Sequence, residues 1–195
     1  GRRRPLRSYA FGLINHWAAV AEQMPRAANF FMGAPPFGAA IKWALDVAPE
    51  RRLPRFAVRS FRRSFRAHSE SRVPSPESRR VLLWPDCSNN YFHPEVAHAA
   101  VKVLEAAGCT VEIPRERLCC GRPLYDHGML TAARRRLAEI LESLRADIEA
   151  GTPIVGLEPS CISVFRDELP RLFPDDPLAR RLSQQAVFLT EFLVR

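Results

Sequence analysis

The chain has 195 residues, 47% hydrophobic and 26% charged, which gives material for one full core and excludes a disordered polymer. Its formal net charge is +8, yet residues 1–80 hold 16 Lys+Arg against 5 Asp+Glu (net +11) while residues 81–195 hold 13 against 16 (net −3). The longest apolar run, "AANFFMGAPPFGAAI", has 15 residues and is broken by Pro35-Pro36, too short for a membrane span.

The chain opens on Gly1 instead of methionine, and "GRRRPLRSYA" lacks the apolar centre of a signal peptide, so a piece of a longer protein is expected. Residues 8–24, "SYAFGLINHWAAVAEQM", predict a helix with Leu13, Trp17, Val20 and Met24 on one face, ended by Pro25. A loop rich in Gly and Pro should follow, then a short helix over 38–46. In "RFAVRSFRRSFRAH" (55–68), Phe61 and Phe65 share a face and arginines cover the rest. Such a segment can lie on an anionic surface or pin itself to the remainder of the chain. With only two aromatics, pinning is the preferred reading. "SESRVPSPESRR" (69–80) has the composition of a linker. Residues 1–80 therefore read as a basic helical arm and linker. No nucleic-acid motif accompanies the charge, so no nucleic-acid partner is expected; peripheral contact with an anionic membrane stays open.

From residue 81 the pattern alternates. "VLLW" (81–84) is a continuous apolar run, as for a strand buried on both faces. "PEVAHAAVKVLEAAG" (94–108) places Val96, Ala99, Ala100, Val103, Leu104 and Ala107 on one helical face, with Gly108 as its stop. "TVEI" (110–113) is a second strand. "MLTAARRRLAEILESLRADIEAG" (129–151) sets Leu137, Ile140, Leu141, Leu144 and Ile148 on one face, and "PIVGLEP" (153–159) is a third strand. "CISVFRDELPRLF" and "PLARRLSQQAVFLTEFLV" read as helical. Strands separated by helices imply parallel pairing. The expected fold of residues 81–195 is α/β, a small Rossmann-like three-layer unit with a parallel sheet, preceded by the helical arm.

The cysteines follow the strands. Cys87 lies three residues past the first, Cys119 and Cys120 a few residues past the second, and Cys161 just past the third. Parallel strands end at one edge, so these four thiols should crowd the rim where open α/β sheets bind ligands. Cys109 precedes the second strand, at the opposite edge, and reads as a packing residue. Without a secretion signal, such a cluster points to a reducing, cytoplasmic compartment and to metal ligands or reactive thiols. Four thiolates suit an iron–sulfur cluster; Cys₄ zinc and a thiol–disulfide site are the alternatives, and C-x₂₋₄-C knuckles are absent. Around them, Asp86 and Glu158 sit at strand ends, where they can tune a cluster, carry protons or cap a helix. His93 and His127, beside turns, are candidate hydrogen-bond donors to it, and His98 is set aside as helical. Gly121 opens a "GRP" turn that resembles an anion-binding turn, but no G-x-G-x-x-G or P-loop occurs, against nucleotide binding.

On "CCGRPLYD" and "GLEPSC", residues 81–195 resemble the cysteine-rich CCG domain family. That family includes the iron–sulfur subunit of glycolate oxidase, the CCG-containing subunit of heterodisulfide reductase and the C-terminal portions of FAD-linked lactate or glycolate dehydrogenase-like proteins. Its motif is a cysteine, thirty-odd residues, Cys-Cys-Gly, a similar gap and Cys-x-x-Cys. Here Cys87 and Cys119 are separated by 31 residues, Cys120 and Cys161 by 40, and Val164 stands where the last cysteine is expected. "RPLRSYAFGLI" and "APERRLPRFA" resemble the segment that follows the ferredoxin-type clusters of the longer fusions. The resemblance implies electron transfer: an FAD domain elsewhere oxidises a 2-hydroxy acid such as lactate or glycolate, ferredoxin-type clusters carry electrons, and this region passes them on or binds the acceptor. It also implies a second CCG half as partner. A zinc-bound or metal-free assembly module is the other reading.

Overall fold

The computed structural model describes residues 4–69 and 78–194. Four strands, β1 (Arg79–Trp84), β2 (Cys109–Glu112), β3 (Ile154–Gly156) and β4 (Ala186–Phe188), form one parallel sheet in the order β2-β1-β3-β4. Register is set by aligned apolar residues, Val81 opposite Val111, Leu83 opposite Val155 and Val155 opposite Val187. Alternation along the strands divides the core in two. Leu82, Trp84, Ile154 and Ala186 face one hydrophobic cluster; Val81, Leu83, Val155 and Val187 face the other.

The helices supply the two outer layers. In chain order they are α1 (Leu6–Gly12), α2 (Ile14–Ala21), α3 (Pro25–Gly33), α4 (Pro35–Ala44), α5 (Phe61–Ser69), α6 (Cys87–Tyr91), α7 (Pro94–Ala106), α8 (Arg122–Asp126), α9 (Leu130–Ser143), α10 (Arg145–Glu149), α11 (Pro159–Ser163), α12 (Leu169–Leu172), α13 (Pro177–Gln185) and α14 (Leu189–Leu193). On the first face, α9 and α10 bury Leu137, Ile140, Leu141, Leu144 and Ile148, as their periodicity predicts, against α11 to α13. On the second face, α7 and α5 pack with Phe192 of α14. Phe61 and Phe65 are both buried there, 5.4 Å between ring centroids. They pin the arm and leave α5 nothing aromatic to offer a membrane. His98 is structural: its ring packs edge-on against Phe61 at 5.0 Å and Ser64 Oγ lies 2.7 Å from its Nε2.

Several local expectations give way. Pro25 does not end the first helix and open a loop; Pro25 and Pro35 each start a helix, where a missing N–H costs nothing. The helix expected over 8–24 is broken at Leu13, and its buried residues are Ser8, Gly12, Ala18 and Glu22, while Val20 and Met24 are exposed. Trp17 is half-buried, edge-on to Phe56 at 5.9 Å. In α7 the buried set is Ala97, Ala100, Val101 and Leu104, with Val96 and Val103 exposed. Both sets have helical spacing, and the smaller alanines let the helix approach the sheet more closely. Residues 186–188 are a strand inside what reads as one helical segment. Three apolar residues carry too short a signal to compete with the helical pattern on either side. Residues 70–77 of the expected linker lie outside the described residues, and Arg79 and Arg80 belong to β1.

Candidate metal and redox site

The ends of β1, β2 and β3 deliver the four cysteines by three local devices. After β1, Asp86 caps α6 by accepting from the Asn89 N–H at 2.9 Å, and Cys87 is the first helical residue. After β2, a loop leads to Cys119-Cys120, and Gly121 takes the left-handed conformation (φ 81) that turns the chain into α8. After β3, Glu158 caps α11 through Ser160, which donates from N at 3.3 Å and from Oγ at 2.9 Å; Cys161 follows. Gly156 is required at this last crossing. A Cβ there would stand 2.4 Å from Ile162 Cδ1, so α11 could not lie so close to β3.

These devices bring Cys87, Cys119, Cys120 and Cys161 to the wall of one open cavity of about 550 Å³. Cys109 starts β2 at the far edge of the sheet and packs in the second core cluster. The thiols form a chain of contacts: Cys87 Sγ donates to Cys119 Sγ at 3.7 Å, Cys119 and Cys120 are hydrogen-bonded in turn, and the Cys120 and Cys161 sulfurs are 3.0 Å apart. Cys87 is half-buried, whereas Cys119, Cys120 and Cys161 are 7%, 3% and 6% exposed. Hydrogen bonds from Cys120 and Cys87, with the Gly121 N–H, hold the Cys119 thiol well below the usual value. Donating to Cys119 pushes Cys87 and Cys120 well above it, and burial adds to both. As the side chains stand, no group of three or more His, Cys, Asp or Glu among the described residues could hold a metal ion.

Of the residues expected around the thiols, Asp86, His93, His127 and Glu158 all line the cavity, and Gly121 reaches it through its N–H to Cys119. Asp86 and Glu158 are helix caps at the same time. Burial pushes the Asp86 carboxyl up, against the Asn89 hydrogen bonds that hold it down. His93 is exposed, 3.3 Å from Glu95, and the His127 ring stacks on Phe11 at 6.2 Å between centroids.

The arm supplies what residue-by-residue reading missed. Phe11, Ile14 and Pro54 form one wall of the cavity, and Asn15 Oδ1, 3.8 Å from Cys87 Sγ, is the alternative acceptor for its single S–H. Nothing in the arm's own pattern marks these positions, since their role exists only once α1 and α2 dock. Arg122 at the mouth bridges Asp126 at 2.9 Å and Glu168 at 2.5 Å. It is legible only as the residue after Cys-Cys-Gly.

Residues 81–166 match the family described as the CCG cysteine-rich domain. Lactate utilization protein A of Bacillus velezensis is 35% identical over 119 residues, 59% of this chain and 48% of that protein. The same-named protein of Bacillus subtilis is 34% identical over the same shares. A subunit of the anaerobic glycerol-3-phosphate dehydrogenase of Escherichia coli K12 is 26% identical over 175 residues, covering 89% of this chain, arm included, and 44% of that protein. The chain thus spans about half the length of the curated relatives it matches. No solved structure matches it significantly. No helix among the described residues is long and apolar enough to cross a membrane.

Proposed function

We propose, from the premise that residues 81–166 are a cysteine-rich domain of the CCG family, that this chain is the electron-transfer region of an oxidoreductase and that Cys87, Cys119, Cys120 and Cys161 hold its iron–sulfur cluster. The observation that carries the reading is the segregation of thiols: four on one rim around one cavity, the fifth at the opposite edge. The donor set fits. It is all sulfur, soft, and brought together from three separate strand ends, and thiolates of this kind take iron in preference to hard cations. A bound cluster would supply one-electron transfer, and the chain's own residues would do the rest. Gly121 presents its N–H to Cys119. Asp86 and Glu158 fix the starts of the helices that carry Cys87 and Cys161. Phe11 and Ile14 shield the cavity from water on the arm side.

The relatives' names, one of lactate utilization and one of a dehydrogenase subunit, are in keeping with a 2-hydroxy acid such as lactate as the electron source. An FAD-linked protein or subunit that oxidises it, and ferredoxin-type clusters that carry the electrons here, are what the family resemblance adds. A second CCG half is the expected partner across the cavity mouth. The expected location is cytoplasmic, at the inner membrane face if a partner holds it there. The test is anaerobic reconstitution of the full-length protein with iron and sulfide. Cys119→Ser and Cys120→Ser should each abolish incorporation, read as iron content and visible absorbance, while Cys109→Ser should leave it intact. Iron content unchanged in both variants of the pair would end the reading. A zinc-bound or metal-free assembly module is the second reading, and protein that takes up zinc or no metal in the same reconstitution would favour it.

A further inference from the structure

We infer that the four thiols are also a two-step dithiol–disulfide site: in the metal-free protein Cys87 pairs with Cys119 and Cys120 with Cys161, and the Cys87–Cys119 bond forms first. The inference shares with the proposed function only the convergence of the thiols, and not the iron.

Pairing follows from distance and from what holds each sulfur. A disulfide needs its sulfurs about 2.05 Å apart. The inner pair is at 3.0 Å and the outer at 3.7 Å, so each closes by less than the freedom of a side-chain rotation. Cys87 is fixed in α6 and Cys161 in α11, each against a different member of the Cys119-Cys120 pair. The adjacent pair itself is poorly placed to bridge, because a bond between neighbours strains the intervening backbone. Cys109 has no thiol within reach at its edge of the sheet.

Order follows from burial. The outer pair has the half-buried Cys87, while both members of the inner pair are nearly closed off, at 3% and 6% exposure. The oxidant class is a small disulfide, R–S–S–R, entering through the cavity. Cys87, the most exposed of the four, attacks one sulfur; the R–S–S–R bond breaks and RS⁻ leaves. The Cys119 sulfur, already in contact with it, then attacks Cys87 Sγ and expels the second RS⁻. The two thiol protons end on the two departing sulfurs as RSH. Two electrons have passed from the two cysteines to R–S–S–R. A second equivalent does the same at Cys120 and Cys161. Each bond removes two of the sulfurs a metal would need, so metal loading and disulfide formation exclude each other, and a dithiol reductant reopens the site.

The experiment uses chelator-treated, reduced protein exposed to glutathione disulfide, with free thiols counted and bridged peptides mapped by mass spectrometry. The expected course is loss of two thiols, then two more more slowly, with Cys109 still alkylated at the end. Serine variants resolve the adjacent pair. Cys120→Ser should keep the fast step and lose the slow one; Cys119→Ser should lose the fast bridge and accumulate glutathione on Cys87. Oxidised wild type should take up no iron until dithiothreitol is added. A Cys87–Cys161 or Cys119–Cys120 bridge in wild type would overturn the inference, as would arrest at mixed disulfides. Anaerobic iron loading of the reduced protein is read separately, so disulfides without iron uptake would sink the cluster assignment alone, and iron uptake without these disulfides would sink this one alone.

Discussion

Arg62 of the arm donates from Nη2 to the carbonyl oxygen of Pro114 at 2.8 Å, and so ties α5 to the loop that delivers Cys119 and Cys120. The same nitrogen reaches the Arg115 carbonyl at 2.9 Å, while the Arg62 backbone N–H donates to Asn90 Oδ1 at 3.0 Å, on α6 beside Cys87. Burial, with Arg66 and Arg117 nearby, pushes the guanidinium down to about 10. The loop is held a second time by Arg117, which pairs with the buried Glu22 of the arm at 3.0 Å. Arm and cysteine rim are thus one mechanical unit, joined at both the Cys87 and the Cys119 side.

Arg62→Met keeps the apolar stem and removes the guanidinium, so the Pro114 carbonyl loses this donor while the Arg115 carbonyl keeps Arg66. A loss of about 1–3 kcal/mol is expected in denaturant unfolding, the usual consequence of orphaning buried polar groups. Arg62→Lys should recover only part: one ammonium can serve both carbonyls, as Nη2 does, but its flexible stem gives up more conformational freedom to do so. An unchanged unfolding midpoint in the methionine variant would show that the arm's hold on this loop lies elsewhere.

Phe61 is fully buried between the arm and the sheet. Phe61→Ala is expected to cost about 3–5 kcal/mol, as for a large core deletion. Because Phe11 and Ile14 of the same arm line the cavity and Asn15 contacts Cys87, loosening it should also raise the alkylation rate of Cys87 while leaving Cys109 unaffected. The paired readout separates arm release from global unfolding. If both cysteines speed up together, the variant has simply lost its fold.

The sheet and the rim were legible because they rest on strong local signals. "VLLW" and "PIVG" are apolar runs bounded by turn residues, and a parallel sheet then dictates that Cys87, Cys119, Cys120 and Cys161 share an edge. β4 was not legible, since Ala186, Val187 and Phe188 become a strand only by pairing with Ile154, Val155 and Gly156. The arm is legible only in part. Phe61 and Phe65 announce a buried face, but Pro25 and Pro35 can end or begin a helix, and the choice is made by tertiary packing. What the sequence could not carry was the arm's share of the cavity, because Phe11, Ile14 and Asn15 owe their role to docking alone.

Arg80 bridges Glu112 at 2.7 Å and Asp147 at 2.7 Å, joining β1 to β2 and to α10. Its hydrogen bond holds the Glu112 carboxyl below the ordinary glutamate range. A carboxylate depressed in the folded state contributes stability above its unfolded value, about 4.3, and loses it as pH falls through the folded value. Glu112 and Arg80 are both nearly half exposed, so solvent screening keeps the contribution to about 1 kcal/mol or less. Glu112→Gln should therefore lower the melting temperature slightly at pH 7 and flatten its fall between pH 5 and pH 3. An acid-side profile identical to wild type would show that the pair contributes nothing to folding.

Gly156 is the contact on which the position of Cys161 depends. Its missing Cβ leaves room for Ile162, whose Cδ1 and Cγ1 would otherwise stand 2.4 and 2.7 Å away, too close for any side chain. Ile162 is fully buried and cannot swing out to relieve the clash. Gly156→Ala should thus force α11 away from β3, at the cost of about 1–3 kcal/mol typical of overpacking. The shift carries Cys161 with it, away from Cys120. Removing the nearer atom with Ile162→Val should restore part of the stability in the double variant, although Cγ1 keeps its equivalent and the rescue stays incomplete. Thermal melts of the two single variants and the double variant give the coupling energy. Independent, additive losses would mean that the close approach of Gly156 to Ile162 does not set where α11 lies.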